Sequence, residues 1–267
     1  MKNKIFPAFY SNNSLMLFGH RGNSAKAPDN TMVSFQKLLD DNIPGVELDV
    51  MLCASGELVV AHDFNLKKVS GVDLEIQEAD YSKIKELDVG SWFSKEFQGE
   101  HVPLLEEVFE LLGHRVYYNI ETKSDTVKTG LLEEKLIRMV KRFGLEKNCI
   151  ISSFNPFSIK TVKKMDPSFS VSLIYSRSKK IPFILRYGAG RLFTSSSFIQ
   201  PYYKLINPLT FYMHSSIFHN PVIAWTVNDT EPLERLINLG VSGYISNNPS
   251  LLLSELKNKD IIIARPV

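Results

Sequence analysis

Cysteine is almost missing from this 267-residue chain: Cys53 and Cys149 stand alone, without Cys-x-x-Cys spacing. That excludes a disulfide framework and a thiolate zinc cluster, and predicts two buried, reduced thiols. Long apolar runs are missing too, so no transmembrane helix is predicted. Lys2 and Lys4 open the chain, but Pro7 and the Ser11-Asn12-Asn13-Ser14 tract interrupt the apolar core that a secretory leader would need. Net charge is small: 31 Lys and Arg against 29 Asp and Glu leave +2, and nothing global argues for nucleic acid. A soluble, cytoplasmic chain is the expectation. Its 44% hydrophobic content supports a large core, and a single domain over 1–267 is expected.

Acidic residues are missing from one stretch. None lies between Asp166 and Asp229, where Arg177, Lys179, Lys180, Arg186, Arg191 and Lys204 supply six positive charges. Taking these six from the 31 leaves 25 basic against 29 acidic residues elsewhere, so the charge is lopsided. The same stretch is rich in aromatics, among them Phe183, Tyr187, Phe193, Phe198, Tyr203, Phe211 and Tyr212. Two readings stand: peripheral contact with an anionic lipid surface through 175–218, or aromatics packed in a helix layer beneath ordinary solvated charges.

What is present is a strand–helix rhythm. Leu15-Met16-Leu17-Phe18 is an apolar run ending at Gly19-His20, a buried strand that delivers His20 to its C-terminal end. Apolar residues at helical spacing follow from Thr31 to Asn42, with Asn30 or Thr31 as N-cap. Gly45 to Leu52 alternates, with Val46, Leu48 and Val50 on one face and Glu47 and Asp49 on the other. In a parallel sheet covered by helices both faces are buried, so two acids there need a cation. Leu58 to His62 reads as a third strand. Residues 64–103 are too long for an ordinary connection and read as an inserted lid segment, before a helix from Leu104 to Leu112. Val116 to Lys123 resumes the strand pattern and adds Glu121 and Lys123 to an inward face. Strands at Cys149 to Phe154, Phe169 to Tyr175, Val222 to Val227 and Gly243 to Ser246 then alternate with helical stretches. Those helices run from Thr126 to Phe143, Pro156 to Met165, Pro232 to Leu239 and Leu251 to Lys257. About eight such units predict an α/β chain folded as a (β/α)8 barrel (TIM barrel), with its active site at the C-terminal strand ends.

His20, Glu47, Asp49, His62, Glu121, Lys123 and Trp225 all fall at or near such ends. A phosphodiester is anionic and inert, so its cleavage needs charge neutralisation, an activated nucleophile and a protonated leaving alkoxide. Glu47, Asp49 and Glu121, carboxylates without cysteine, select one hard divalent cation, Mg²⁺ or Ca²⁺. Arg21 offers a fork to phosphate oxygens and Lys123 a point charge. His20 and His62 are suited to share the proton work, because imidazole titrates near neutral pH. Each motif alone is weak: Lys123 also suits a structural pairing with Glu121, and Trp225 suits the core as well as a substrate platform. Their coincidence at strand ends carries the reading. His101, His114, His214 and His219 lack that company and are expected at the surface.

The ordered set His20-Arg21-Gly22, Pro28-Asp29-Asn30-Thr31, Glu47-Leu48-Asp49, Val60-Ala61-His62-Asp63, Asn119-Ile120-Glu121-Thr122-Lys123 and Trp225-Thr226-Val227-Asn228 resembles the glycerophosphodiester phosphodiesterase family. The likeness runs roughly from Leu17 to Leu252. It implies a barrel of the phosphodiesterase type with a lid after the His62 strand, a divalent metal on Glu47, Asp49 and Glu121, and His20 and His62 as the catalytic pair. It also implies hydrolysis of small glycerophosphodiesters to glycerol 3-phosphate and an alcohol. Two residues depart from the family pattern: Asp29 stands for the usual glutamate and Asn247 for the usual aspartate. Two alternatives remain, a lysophospholipase D-like enzyme working at a membrane surface and a catalytically silent barrel that binds phosphate compounds.

Overall fold

The computed structural model describes residues 4–124, 129–178, 186 and 188–267. Strand β1 (Met16–His20) leads through the turn at Arg21-Gly22 to helix α1 (Met32–Asp40), whose N-cap is Thr31, with its side chain accepting from the Ser34 amide. Strand β2 (Gly45–Leu52) turns back tightly into β3 (Leu58–Val60), which pairs antiparallel with it. The expected third barrel strand is therefore the second arm of a hairpin. Five residues separate the two strands, too few for the crossover that a parallel neighbour requires. His62 consequently follows this hairpin rather than ending a barrel strand.

The insertion then contributes the short helices α2 (Lys67–Ser70) and α3 (Tyr81–Ile84). It packs Leu66, Ile76, Ile84, Val89 and Val102 against Met51 and Val59 of the hairpin, forming a small satellite core beside the barrel. The rhythm resumes with α4 (Leu105–Leu112), β4 (Tyr117–Thr122), α5 (Leu131–Arg142), β5 (Cys149–Ser153), α6 (Pro156–Met165) and β6 (Ser170–Tyr175). The expected start of α5 near Thr126 lies outside the described residues. Strand β7 (Phe198–Pro201) follows, then α7 (Pro208–Tyr212), β8 (Ile223–Ala224), α8 (Thr230–Leu239), β9 (Gly243–Ser246) and α9 (Pro249–Asn258). The stretch that looked irregular in sequence thus holds the missing barrel strand, β7, only four residues long and ending in Pro201.

Eight parallel strands follow the order β7-β6-β5-β4-β2-β1-β9-β8. Bridges Ile199 to Val222 and Tyr202 to Trp225 join the two ends into a nearly closed barrel. Outward residues such as Val46, Leu48, Val50, Tyr118 and Ile120 pack under the helices in the main core. The lumen is layered. Its floor is Met16, Phe18, Tyr117, Ile150, Phe198, Ile223 and Ile245, closed from below by Phe9 stacked on Tyr117 at 4.3 Å. Above it Asn119 and Gln200 exchange two amide hydrogen bonds of 3.1 Å, and above them stand the carboxylates of β2 and β4. Cys53 and Cys149 are buried and free, as expected from the sequence. Among the described residues no helix is long and apolar enough to cross a membrane.

Tyr117 locks this floor. Its hydroxyl accepts from the Leu17 amide at 2.8 Å and donates to the Leu17 carbonyl at 3.1 Å, which presses the ring against Gly45. A Cβ at Gly45 would lie 2.1 Å from Tyr117 Cε2 and 2.7 Å from the Leu17 oxygen. Gly45→Ala should therefore destabilise the fold by about 1–3 kcal/mol or more through overpacking. A urea titration that leaves the unfolding midpoint unchanged would contradict this packing.

Candidate active site

Strands β1, β2 and β4 are parallel neighbours in a register that places His20 beside Glu47 and Asp49 beside Glu121. Because alternate residues share a face, Glu47, Asp49 and Glu121 all project into the lumen at its upper end. Their nearest oxygens lie within 4.8 Å of one another, and all three residues are buried. Lys123, just beyond β4, sits 2.8 Å from Glu121 and 3.5 Å from Asp49. Arg21, just beyond β1, places Nε 3.1 Å from Asp49 and Nη1 2.8 Å from Asp29. The shorter side chain at position 29 therefore still reaches the arginine.

The electrostatics follow from crowding. Burial, then repulsion from Asp49 and Glu121, pushes the Glu47 carboxyl well above its usual range. Burial would raise Asp49 too, but Lys123 and Arg21 beside it hold that carboxyl far below the ordinary value. Glu121 is raised by burial, with Lys123 opposing and Asp49 adding to the rise. Three carboxylates against two cations, one of them shared with Asp29, leave a surplus of negative charge. Asp49 Oδ1 is buried, with the Lys123 ammonium 3.5 Å away and no partner at hydrogen-bond geometry among the described residues. An all-oxygen donor set with an unsatisfied ligand atom fits a hard divalent cation.

Both histidines sit on the rim. His20 Nε2 is 3.8 Å from Glu47 Oε2, and its Nδ1 meets Asn247 Oδ1 at 2.5 Å. Burial and then the Arg21 charge push His20 down to about 4. His62 Nδ1 meets Asp63 Oδ1 at 2.8 Å. His20, Arg21, Glu47, His62, Glu121 and Trp225 line one cavity of about 90 Å³, and Asp49 and Lys123 stand beside its Glu121. Trp225 forms an apolar wall there, donating its indole N–H to the Gln200 carbonyl at 2.9 Å and meeting Phe154 edge-on at 5.5 Å.

Sequence reading missed the supporting residues. Asn30 takes a left-handed backbone, φ 56°, donates Nδ2 to Asp49 Oδ2 at 2.9 Å, and accepts from the Asp49 amide at 3.4 Å. Asp63, Asn247 and Asn228 were likewise assigned no role; only the motifs that contain them pointed to them. Of the remaining histidines, His114 and His219 are exposed and His101 is half-buried. His214 corrects the surface expectation: it is buried, 2.7 Å from the Tyr175 hydroxyl, and burial pushes it down to about 4. The turn at Met213–Ile217 folds it against β6. The basic aromatic stretch divides in two: Phe198 is in the lumen floor, whereas Phe193 and Tyr212 are exposed. Lys179, Lys180, Phe183 and Tyr187 lie outside the described residues.

Comparison with known proteins agrees with this architecture. Residues 20–251 match the glycerophosphoryl diester phosphodiesterase family. A glycerophosphodiester phosphodiesterase of Caldanaerobacter subterraneus subsp. tengcongensis is 36% identical over 242 residues, 90% of this chain and 96% of the relative. A Homo sapiens lysophospholipase D is 24% identical over 90% of this chain and 85% of its own. An Oleispira antarctica phosphodiesterase solved with its product sn-glycerol-3-phosphate superposes with a TM-score of 0.80 at 26% identity, covering 91% of this chain and 96% of the other. With a barrel of eight parallel strands and a family match over residues 20–251, the chain belongs to the glycerophosphoryl diester phosphodiesterase family and is a phosphoric diester hydrolase.

Proposed function

We propose that the chain hydrolyses small glycerophosphodiesters to glycerol 3-phosphate and an alcohol, with one divalent cation, Mg²⁺ or Ca²⁺, held by Glu47, Asp49 and Glu121. The observation that carries this reading is the buried carboxylate cluster, with ligand atoms within 4.8 Å, beneath a rim bearing both His20 and His62. When bound, the cation supplies Lewis-acid polarisation of a phosphoryl oxygen.

The chain's own residues do the rest. Arg21 and Lys123, fixed as full positive charges by the acids around them, neutralise phosphate oxygens. In net terms the oxygen of water bonds to phosphorus while the bond from phosphorus to the alcohol oxygen breaks. One histidine accepts the proton released by water and the other delivers a proton to the departing alkoxide. Asp63 Oδ1 meets His62 Nδ1 at 2.8 Å and orients that ring. Trp225 forms the apolar side of the cavity.

A second reading has its own support. Leu192, Phe193, Leu209 and Tyr212 are all more than half exposed within a stretch free of acids, and a lysophospholipase D is among the relatives. That combination suits a substrate keeping one acyl chain, met at an anionic lipid surface. Rates on glycerophosphocholine and lysophosphatidylcholine separate the two: the first reading requires the water-soluble diester to be the faster substrate, and a clear preference for the lysolipid would replace it by the second.

His20→Ala and His62→Ala should each lower turnover by about 10²–10⁴-fold, the usual contribution of a proton-transfer group. Their thermal unfolding should stay near that of the parent. Full activity in either variant would remove that histidine from the reaction. Chelation by EDTA should abolish turnover, and added Mg²⁺ or Ca²⁺ should restore it; activity indifferent to chelator would exclude the cation.

A further inference from the structure

The two rim histidines differ in what holds them. His62 leans on a carboxylate, whereas His20 leans on a neutral amide, Asn247. The backbone that carries Asn247 is held from several sides. Asn247 is the first residue beyond β9, which pairs with β1 so that Ser246 faces Gly19, and this register brings it alongside His20. Its N–H donates to Asn228 Oδ1 at 2.9 Å, and its carbonyl accepts from the Ala25 amide at 2.8 Å. The next residue, Asn248, caps α9 through the Leu251 amide and donates its own N–H to Ser246 Oγ at 3.0 Å. The backbone position from which the Asn247 side chain reaches His20 is therefore fixed.

An amide oxygen only accepts hydrogen bonds, so an imidazole nitrogen facing it at 2.5 Å carries the hydrogen. A neutral ring has one N–H, which leaves the other nitrogen, Nε2, with a free lone pair. Nε2 lies 3.8 Å from Glu47, which lines the same cavity as His20. We propose that Asn247, held by Asn228, is a positioning residue that fixes His20 as the Nδ1–H tautomer and so presents Nε2 as the proton acceptor of the reaction. This rests on the reading above that His20 moves a proton. It assigns the acceptor role to His20 and leaves delivery of the proton to His62.

The tautomer is read without turnover. In the full-length, uniformly ¹⁵N-labelled chain, two-bond ¹H–¹⁵N correlations of the imidazoles distinguish Nδ1–H from Nε2–H, with the His20 signal identified by its loss in His20→Ala. The expected result is Nδ1–H in the parent and in Asn247→Asp, which keeps an acceptor oxygen, and a mixed or Nε2–H ring in Asn247→Leu. Kinetically, Asn247→Leu should lower kcat by about 10–100-fold, as removal of an orienting partner does, with little change in KM. Asn247→Asp should retain most of the activity. An Nε2–H ring in the parent would overturn the proposal even if both Asn247 variants failed to fold. So would an equal loss of kcat in the Leu and Asp variants, which marks a merely structural role. Full activity in His20→Ala would instead refute the proton-transfer reading while leaving the tautomer assignment standing.

Discussion

Three carboxylates held within 4.8 Å of one another inside a barrel are the constraint from which the rest of the site follows. At an effective dielectric constant near 20, each ionised pair at that separation repels by about 3 kcal/mol. The register of β2 against β4 makes the encounter unavoidable, because it sets Asp49 directly beside Glu121 with Glu47 two residues earlier on the same face. Below them the lumen is packed with Tyr117, Phe18 and Phe198, so water cannot enter from beneath to screen the charge. Arg21 and Lys123 offset part of the repulsion, and burial together with the charges of Asp49 and Glu121 still pushes the Glu47 carboxyl well above its usual range. A divalent cation removes that surplus and turns the cavity attractive to a phosphodiester anion.

The elements outside the barrel serve this cluster. The turn after β1 puts Arg21 and Asn30 into left-handed backbone, with φ of 58° and 56°, conformations that non-glycine residues adopt at a cost of about 1–3 kcal/mol. That cost is met by hydrogen bonds: Asn30 grips Asp49 from both ends of its amide, and the Arg21 amide donates to the Glu47 carbonyl at 2.8 Å. The β2–β3 hairpin, with its own satellite core, carries His62 to the rim beside the barrel strands. The two histidines thus reach one cavity by different routes, one from a barrel strand and one from an added hairpin.

Much of this was legible in the sequence, for reasons visible in particular residues. Alternation in Gly45–Leu52 and Tyr117–Thr122 revealed the inward acids because period-two patterning survives any packing detail. Cys53, Cys149 and the proline-started helix α6 also stood where composition and capping placed them. Strand β7 was hidden because four residues carry too little pattern, and β3 passed for a barrel strand because an apolar triplet does not record its direction. Asn247 could not be tied to His20, since their contact spans 227 positions and depends on the pairing of the first barrel strand with the last. His214 was misplaced because nothing local marks a histidine that a later turn folds against Tyr175.

The carboxylate cluster is an electrostatic burden that a bound cation would relieve. Thermal unfolding of the parent and of Glu47→Gln, each with and without Mg²⁺ or Ca²⁺, addresses it. Ligand linkage predicts that the cation raises the melting temperature of the parent. Glu47→Gln should unfold no earlier than the cation-free parent and should lose most of the cation-dependent shift. A parent indifferent to both cations, or a Glu47→Gln variant that keeps the full shift, would contradict it.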